Sequence, residues 1–304
     1  GMRFADLQAI LMQAGQFLAI DPAYPDQATI GGIVATADTG SLRQRYNSVR
    51  DMLLGITFVR ADGQIAKAGG RVVKNVAGYD LMKLFTGSYG TLGMITQVTF
   101  RVYPLPSTSQ TMLLLGEPAA LSQAGATLLV SALTPTSADL LSAELVQALG
   151  LGQSMGLAIR FQSSEPGVNE QMGRMTELAE QLNLAHRALS GYDEASLWQQ
   201  LREQMTTSPQ AAAITCKIGV RASEAISVLQ QFDQLPIPAC RVQIHLASGL
   251  GRVVFAQSIA PDLLAKLRSI LQANAGFMSV LQAPVSFKQQ VDVWGYSGNA
   301  LPVM

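Results

Sequence analysis

Charge is sparse in this sequence. Only 14% of its 304 residues are charged, and 21 basic residues balance 21 acidic ones. No basic run is present, which argues against nucleic acid as a main partner. Cysteine is sparser: Cys216 and Cys240 stand far apart, with no C-x-x-C spacing. A disulfide framework, a zinc site or an iron–sulfur cluster within this chain is therefore not expected. No apolar run reaches the ~18 residues that a membrane-spanning helix needs. The segment from Phe4 has the spacing of an ordinary amphipathic helix and not the apolar core of a signal peptide. The cytoplasm is the expected compartment, with a peripheral place at the inner membrane left open.

What is present is apolar. Hydrophobic residues make up 48% of the chain and mean hydropathy is +0.23. That composition belongs to a globular protein, and the length suffices for two domains with buried cores. The apolar excess fits either a partner surface or a large core, and composition does not decide between them.

Turn signals concentrate between Thr29 and Pro106. One glycine run is Thr29-Ile30-Gly31-Gly32-Ile33-Val34-Ala35-Thr36. The other is Gly87-Ser88-Tyr89-Gly90-Thr91-Leu92-Gly93-Met94-Ile95-Thr96. Glycine serves where backbone takes φ > 0 or approaches a ligand that a Cβ would exclude. N–H groups freed by such turns make concave anion sites. A phosphate-bearing cofactor is the first expectation, and a tight β-turn without ligand is the alternative. In a Rossmann fold, G-x-G-x-x-G follows a strand and opens a helix, and neither run reads that way. Gly87, Gly90 and Gly93 precede a segment, Met94 to Tyr103, that alternates as a strand and ends at Pro104. Rossmann and P-loop readings are poor.

Several motifs in order carry a resemblance. They are Ala28 to Gly32, then Arg50-Asp51-Met52-Leu53-Leu54-Gly55, then Asp62-Gly63. Next come Gly69-Gly70-Arg71-Val72-Val73-Lys74-Asn75-Val76-Ala77-Gly78-Tyr79-Asp80-Leu81, and finally Gly87 to Thr96. The stretch resembles the second lobe of the FAD-binding domain of the vanillyl-alcohol oxidase type, also called the PCMH type. Within that superfamily it is most similar to the smaller FAD-binding subunits of bacterial glycolate oxidases.

The resemblance implies FAD, held without a covalent bond. It implies that the backbone of Thr29, Ile30, Gly31, Gly32, Ala35 and Thr36 lies along the flavin and pyrophosphate, with the N–H groups of the helical turn after Gly32 facing the phosphate, and that Gly40 also binds the cofactor. Gly90 and Gly93 would meet the adenosine half, with Ile95 offering backbone to adenine. Arg43, Arg45 and Arg50 either offset the phosphate charges or sit in a solvated loop. Lys74, Asn75, Tyr79 and Asp80 would bound the flavin site, while Asp80 equally suits a helix start. The resemblance further implies a glycine-rich phosphate lobe before Gly1 and a short motif beyond Trp294-Gly295. The chain is thus expected to be a fragment, with a natural short variant as the alternative.

Phe4 to Gln13 or Ala14 reads as a helix with Gly15 as its C-cap. Met52 to Val59 and Ile65 to Ala68 read as strands around an Ala61-Asp62-Gly63-Gln64 hairpin turn, and Leu81 to Phe85 as a short helix. After Pro106 the pattern changes. Strands are expected at 111–115, 155–161, 211–220, 239–246, 252–256 and 277–281. Helices are expected at 118–132, 170–182, 194–205, 223–232 and 261–273, and 138–145 is ambiguous. This suggests an α+β cap domain of antiparallel sheet with helices on one side. The β-α-β recurrence hints at two ferredoxin-like units, without a sequence repeat. The fold class is α+β, with residues 1–106 as a PCMH-type FAD-binding domain lacking its N-terminal lobe. Residues 107–281 form the cap, and 282–304 return toward the FAD domain.

Histidine is limited to His186 and His245. His186 reads as a surface residue. His245 lies in Arg241 to Arg252, where 2-hydroxy-acid dehydrogenase relatives carry H-x-G-D-G-N-x-H and bind a divalent metal. His245 matches the first histidine, but Ser248 replaces the acid and Arg252 the second histidine. One imidazole alone holds a metal poorly, so no metal is expected, and no catalytic side chain is assigned. The resemblance then implies an FAD-binding, electron-transferring subunit of a glycolate oxidase-type complex that oxidises 2-hydroxy acids. Its partners would be a catalytic flavoprotein subunit and an iron–sulfur subunit, and the flavin would carry the redox chemistry. Two alternatives stand beside this: a stand-alone FAD-linked oxidase, and a scaffold without flavin.

Overall fold

The computed structural model describes residues 1–70, 79–206, 213–235, 237 and 239–295. They fall into two compact units, Gly1–Ser107 and a second that begins at Thr108.

The first unit opens with α1 (Phe4–Gln13), which packs Phe4, Leu7 and Leu11 into one core. Gly15 (φ +67°) then takes the left-handed position that ends many helices. β1 (Gln16–Phe17) precedes three short helices, α2 (Ile30–Thr36), α3 (Arg43–Tyr46) and α4 (Val49–Met52). After them come β2 (Leu53–Val59), β3 (Ile65–Gly69), α5 (Leu81–Phe85), β4 (Met94–Phe100) and β5 (Tyr103–Pro104). The strands form an antiparallel sheet in the order β3-β2-β4, and β5 pairs with β1. Gly63 (φ +80°) makes the hairpin turn. Asp80 caps α5, its carboxylate accepting from Lys83 N–H at 3.3 Å, so the helix-start reading of Asp80 describes it.

The helical turn that the resemblance places after Gly31-Gly32 extends over residues 30–36. Thr29 is its N-cap, with Oγ1 accepting from Gly32 N–H at 3.2 Å. The cap, together with Ile30, Ile33 and Val34 buried at helical spacing, outweighs the two glycines. β1 ends well before this helix, so a strand does not feed it as in a Rossmann unit.

The second unit repeats one topology. Its first half is β6 (Thr108–Leu115), α6 (Pro118–Val130), β7 (Ser137–Leu141), α7 (Ala143–Ala148), β8 (Gly156–Ser163), α8 (Glu165–Gln181) and β9 (Ala185–Ser190). After α9 (Gly191–Met205) come β10 (Ile214–Gly219), α10 (Ala225–Asp233), β11 (Cys240–His245), β12 (Leu250–Phe255), α11 (Pro261–Ala273), β13 (Phe277–Gln282) and α12 (Val285–Lys288). Each half orders its strands fourth-first-third-second, β9-β6-β8-β7 and β13-β10-β12-β11. Every neighbouring pair is antiparallel. That is the ferredoxin-like arrangement, present twice. The halves join edge to edge through β7 and β11 into one 8-stranded sheet.

Helices cover both faces of this sheet, not one. On β7, Ala138 and Leu140 join a core with α6, α8, α10 and α11, while Leu141 joins another with α7 and α9. Period-2 alternation puts apolar side chains on each face. Leu113, Leu141, Ala158 and Val254 need the cover that Leu197, Trp198, Leu201 and Met205 supply. The ambiguous 138–145 stretch divides at Ser142, which caps α7 by accepting from Leu145 N–H at 3.3 Å. Residues 185–190, with His186, form an edge strand although only Leu189 is buried. Pairing with β6 makes that strand, because its own hydropathy does not alternate. Residues 283–295 pack on this unit: Phe287 is buried in its larger core, and Val280 N–H donates to Val293 O at 2.7 Å. Among the described residues, no helix is long and apolar enough to cross a membrane.

Candidate cofactor site

The two glycine runs meet in the first unit. Gly87 N–H donates to Val34 O (3.0 Å) and Tyr89 N–H to Ala35 O (2.8 Å), so the second run docks on the end of α2. Tyr89 (φ +53°) and Gly90 (φ +75°) turn the chain through left-handed geometry. Gly93 (φ +155°) brings it so close to β2 that a Cβ there would stand 2.6 Å from Val59 O.

Between α1, α2, this loop and β4 lies a cavity of about 1030 Å³, lined by Thr29, Ile30, Gly31, Gly32, Ala35, Gly90, Gly93 and Ile95. A Cβ on Gly90 would meet nothing within 4 Å, and one on Gly31 would first meet Ile95 O at 3.9 Å. The missing side chains therefore leave main chain as the cavity wall. β4 is an edge strand, so alternate N–H and C=O groups turn away from β2. A large cavity walled by main chain and apolar side chains fits a nucleotide cofactor. The start of α2 offers less than a bare turn would. Ile30 N–H donates to Met2 O (3.0 Å) and Gly32 N–H to Thr29 Oγ1.

Thr36 and Gly40 lie outside the lining. Thr36 Oγ1 donates back to Gly32 O at 2.8 Å. Gly40 answers to packing, since a Cβ would stand 2.3 Å from Asp21 O. The Asp21 carboxylate holds that turn by accepting from Ser41 N–H (2.8 Å) and Leu42 N–H (3.1 Å). Arg43, Arg45 and Arg50 do not line the cavity. Burial holds the Arg43 guanidinium below its ordinary pKa, against the opposing pull of Asp51 and Asp21. Tyr79 is exposed, and Lys74 and Asn75 lie outside the described residues. Arg60 does line the cavity, although nothing in its sequence context marks it.

In the second unit, β7 and β11 place Asp139 directly opposite His245. Asp139 is fully buried. Its Oδ1 lies 2.6 Å from His245 Nδ1, and its Oδ2 accepts from Gln243 Nε2 at 3.0 Å. Ser248 Oγ accepts from Leu250 N–H at 3.3 Å. Among the described residues, no group of three His, Cys, Asp or Glu side chains is placed to hold a metal ion. The one sequence signal for Asp139 is a carboxylate inside the otherwise apolar run Ala138 to Leu141.

Residues 1–69 match the family model described as FAD binding domain. That match lies wholly within the first unit. The family description supports FAD as the cofactor, and the cavity lined by both glycine runs is the candidate place for it. The chain is 43% identical over 110 residues to glycolate oxidase subunit GlcE of Escherichia coli, covering 36% of this chain and 31% of that one. It is 33% identical over 148 residues to glycolate oxidase subunit GlcD of Bacillus subtilis, covering 49% and 29%. A mitochondrial D-lactate dehydrogenase (cytochrome) of Arabidopsis thaliana is 39% identical over 109 residues, covering 36% and 19%. The matches thus span less than a third of each relative's length. Among solved structures, an alkyldihydroxyacetonephosphate synthase superposes with a TM-score of 0.62 at 16% identity, covering 95% of this chain and 62% of that one. A VAO-type flavoprotein from Myceliophthora thermophila gives 0.55 at 14% identity, covering 96% and 60%. At these identities the likeness is one of fold, and the fold is that of VAO-type flavoproteins.

Proposed function

We propose that this chain is the FAD-binding, electron-transferring subunit of a glycolate oxidase-type complex that oxidises 2-hydroxy acids, glycolate to glyoxylate. The observation that carries the reading is the cavity in which both glycine runs present main chain together. The relative named GlcE supports the subunit role. A bound FAD would supply two-electron redox chemistry here, as a carrier between the catalytic subunit that oxidises the hydroxy acid and the next acceptor. The chain's own part is to bind FAD without a covalent bond, orient it and keep water from its buried face. Partners are a catalytic flavoprotein subunit and an iron–sulfur subunit. The place of action is the cytoplasm, at or near the inner membrane face.

The test is a visible spectrum of the purified chain with FAD, then with glycolate, then with both partner subunits. The reading expects a flavin band that glycolate bleaches only when the catalytic subunit is present. Bleaching by glycolate with this chain alone would overturn the electron-transfer role.

A further inference from the structure

Among the described residues that line the cofactor cavity, one carries a charged side chain: Arg60. We propose that Arg60 is the counter-charge for the diphosphate of the dinucleotide bound there. The inference rests on the FAD reading above. The rest of the described lining is main chain and neutral side chains. A diphosphate brings two negative charges, and taking them out of water is costly unless donors or a cation receive them. Two first-turn donors of α2 are already used, by Met2 O and Thr29 Oγ1. A guanidinium fork matches phosphate oxygens two at a time.

The hairpin holds Arg60 in place. Its N–H donates to Gln64 O (2.9 Å) and its carbonyl accepts from Gly63 N–H (3.0 Å). This fixes the backbone just beyond Val59, the residue against which Gly93 closes. The side chain pairs with Asp62, Nη2 to Oδ2 at 2.9 Å, and the two are 54% and 44% exposed. So open an ion pair contributes little, and exchanging Asp62 for phosphate costs little. Asp62 competes for Arg60 and repels the ligand, so the two residues act on affinity with opposite sign.

The test titrates the full chain and its variants with FAD, ADP and adenosine, by flavin fluorescence and calorimetry. Arg60→Gln should weaken FAD and ADP by about tenfold or more, leave adenosine unchanged and flatten the salt dependence of FAD binding. Asp62→Asn should tighten FAD by about two- to fivefold. The opposite response expected of Asp62→Asn, the other half of the same exposed pair, separates charge from damage. A wild-type chain that binds FAD while Arg60→Gln binds it equally well would overturn this inference and leave the cofactor reading standing. So would an equal loss for adenosine, which has no phosphate. A wild-type chain that binds neither FAD nor ADP would overturn the cofactor reading, and the role of Arg60 with it.

Discussion

Gly31 and Gly40 look alike in sequence and answer to different constraints. At Gly40 an added methyl would collide with Asp21 main chain and carboxylate. Gly40→Ala should cost about 1–3 kcal/mol of apo stability by urea denaturation, while the folded fraction keeps its FAD affinity. At Gly31 the methyl would meet only Ile95, at 3.9 Å, and alanine is favoured over glycine in helices by up to about 1 kcal/mol. Gly31→Ala should therefore hold or raise stability while weakening FAD. Unchanged affinity would place the ligand away from α2. Glycine motifs in sequence give the neighbourhood of the cavity, but not which glycine lines it and which packs against protein. His245 shows the other limit. Its partner Asp139 is 106 positions away and becomes its neighbour only when β7 meets β11. Asp139→Ala removes the buried carboxylate that Gln243 and His245 share and should cost about 2–4 kcal/mol. Asp139→Asn, which keeps an acceptor, should cost less in the same denaturation experiment.

Elements were legible wherever their own residues carry the period. α11 runs from Pro261 to Ala273 as expected because Leu264, Leu267 and Leu271 mark one buried face. β9 was not legible, since an edge strand buried at one position has no alternation to read. α2 was legible only as a turn after Gly32, and its Thr29 cap carries it over Ile30–Thr36. The joint between the ferredoxin-like halves was invisible as well, since it depends on tertiary contacts. Ser142 sits at that joint. Its Oγ accepts from Leu145 N–H at the start of α7 and from Val242 N–H of β11 at 3.0 Å, and it is fully buried. Ser142→Ala strands two donors at once and should cost about 1–3 kcal/mol, against near zero if the joint is held by apolar packing alone. At α4 the cap is charged. Burial would raise the Asp51 pKa, but two hydrogen bonds from Ser48 outweigh it and hold it below the ordinary carboxylate value. A depressed folded-state pKa adds stability at neutral pH that fades as pH falls through it. Asp51→Asn should remove that acid-side slope, worth about 1 kcal/mol or less at so exposed a cap.

For the whole molecule, the two units offer separate reporters. Cys216 and Cys240 are both buried in the second. Burial pushes both thiols from 9.0 up to about 12, with Arg268 opposing at Cys216 and Asp233 adding at Cys240. The folded state thus holds these protons more tightly than the unfolded chain. Stability from this source is complete below about 9 and declines as pH rises toward about 12. Urea midpoints of the second unit should fall across that window, and a Cys216→Ala, Cys240→Ala double variant should flatten the fall. The same burial keeps the thiols slow to alkylate while folded, so labelling reports opening of the second unit. FAD bound in the cavity proposed for it would enter this linkage from elsewhere, because every described residue lining that cavity lies at or before Val102. A ligand that binds only folded protein stabilises it by about 2.7 kcal/mol at roughly 100 times Kd. Saturating FAD should therefore slow hydrogen exchange in β2 and β4 and leave cysteine labelling in urea unchanged. If FAD slows both alike, the units unfold as one and the cofactor's stabilisation is shared by the whole chain.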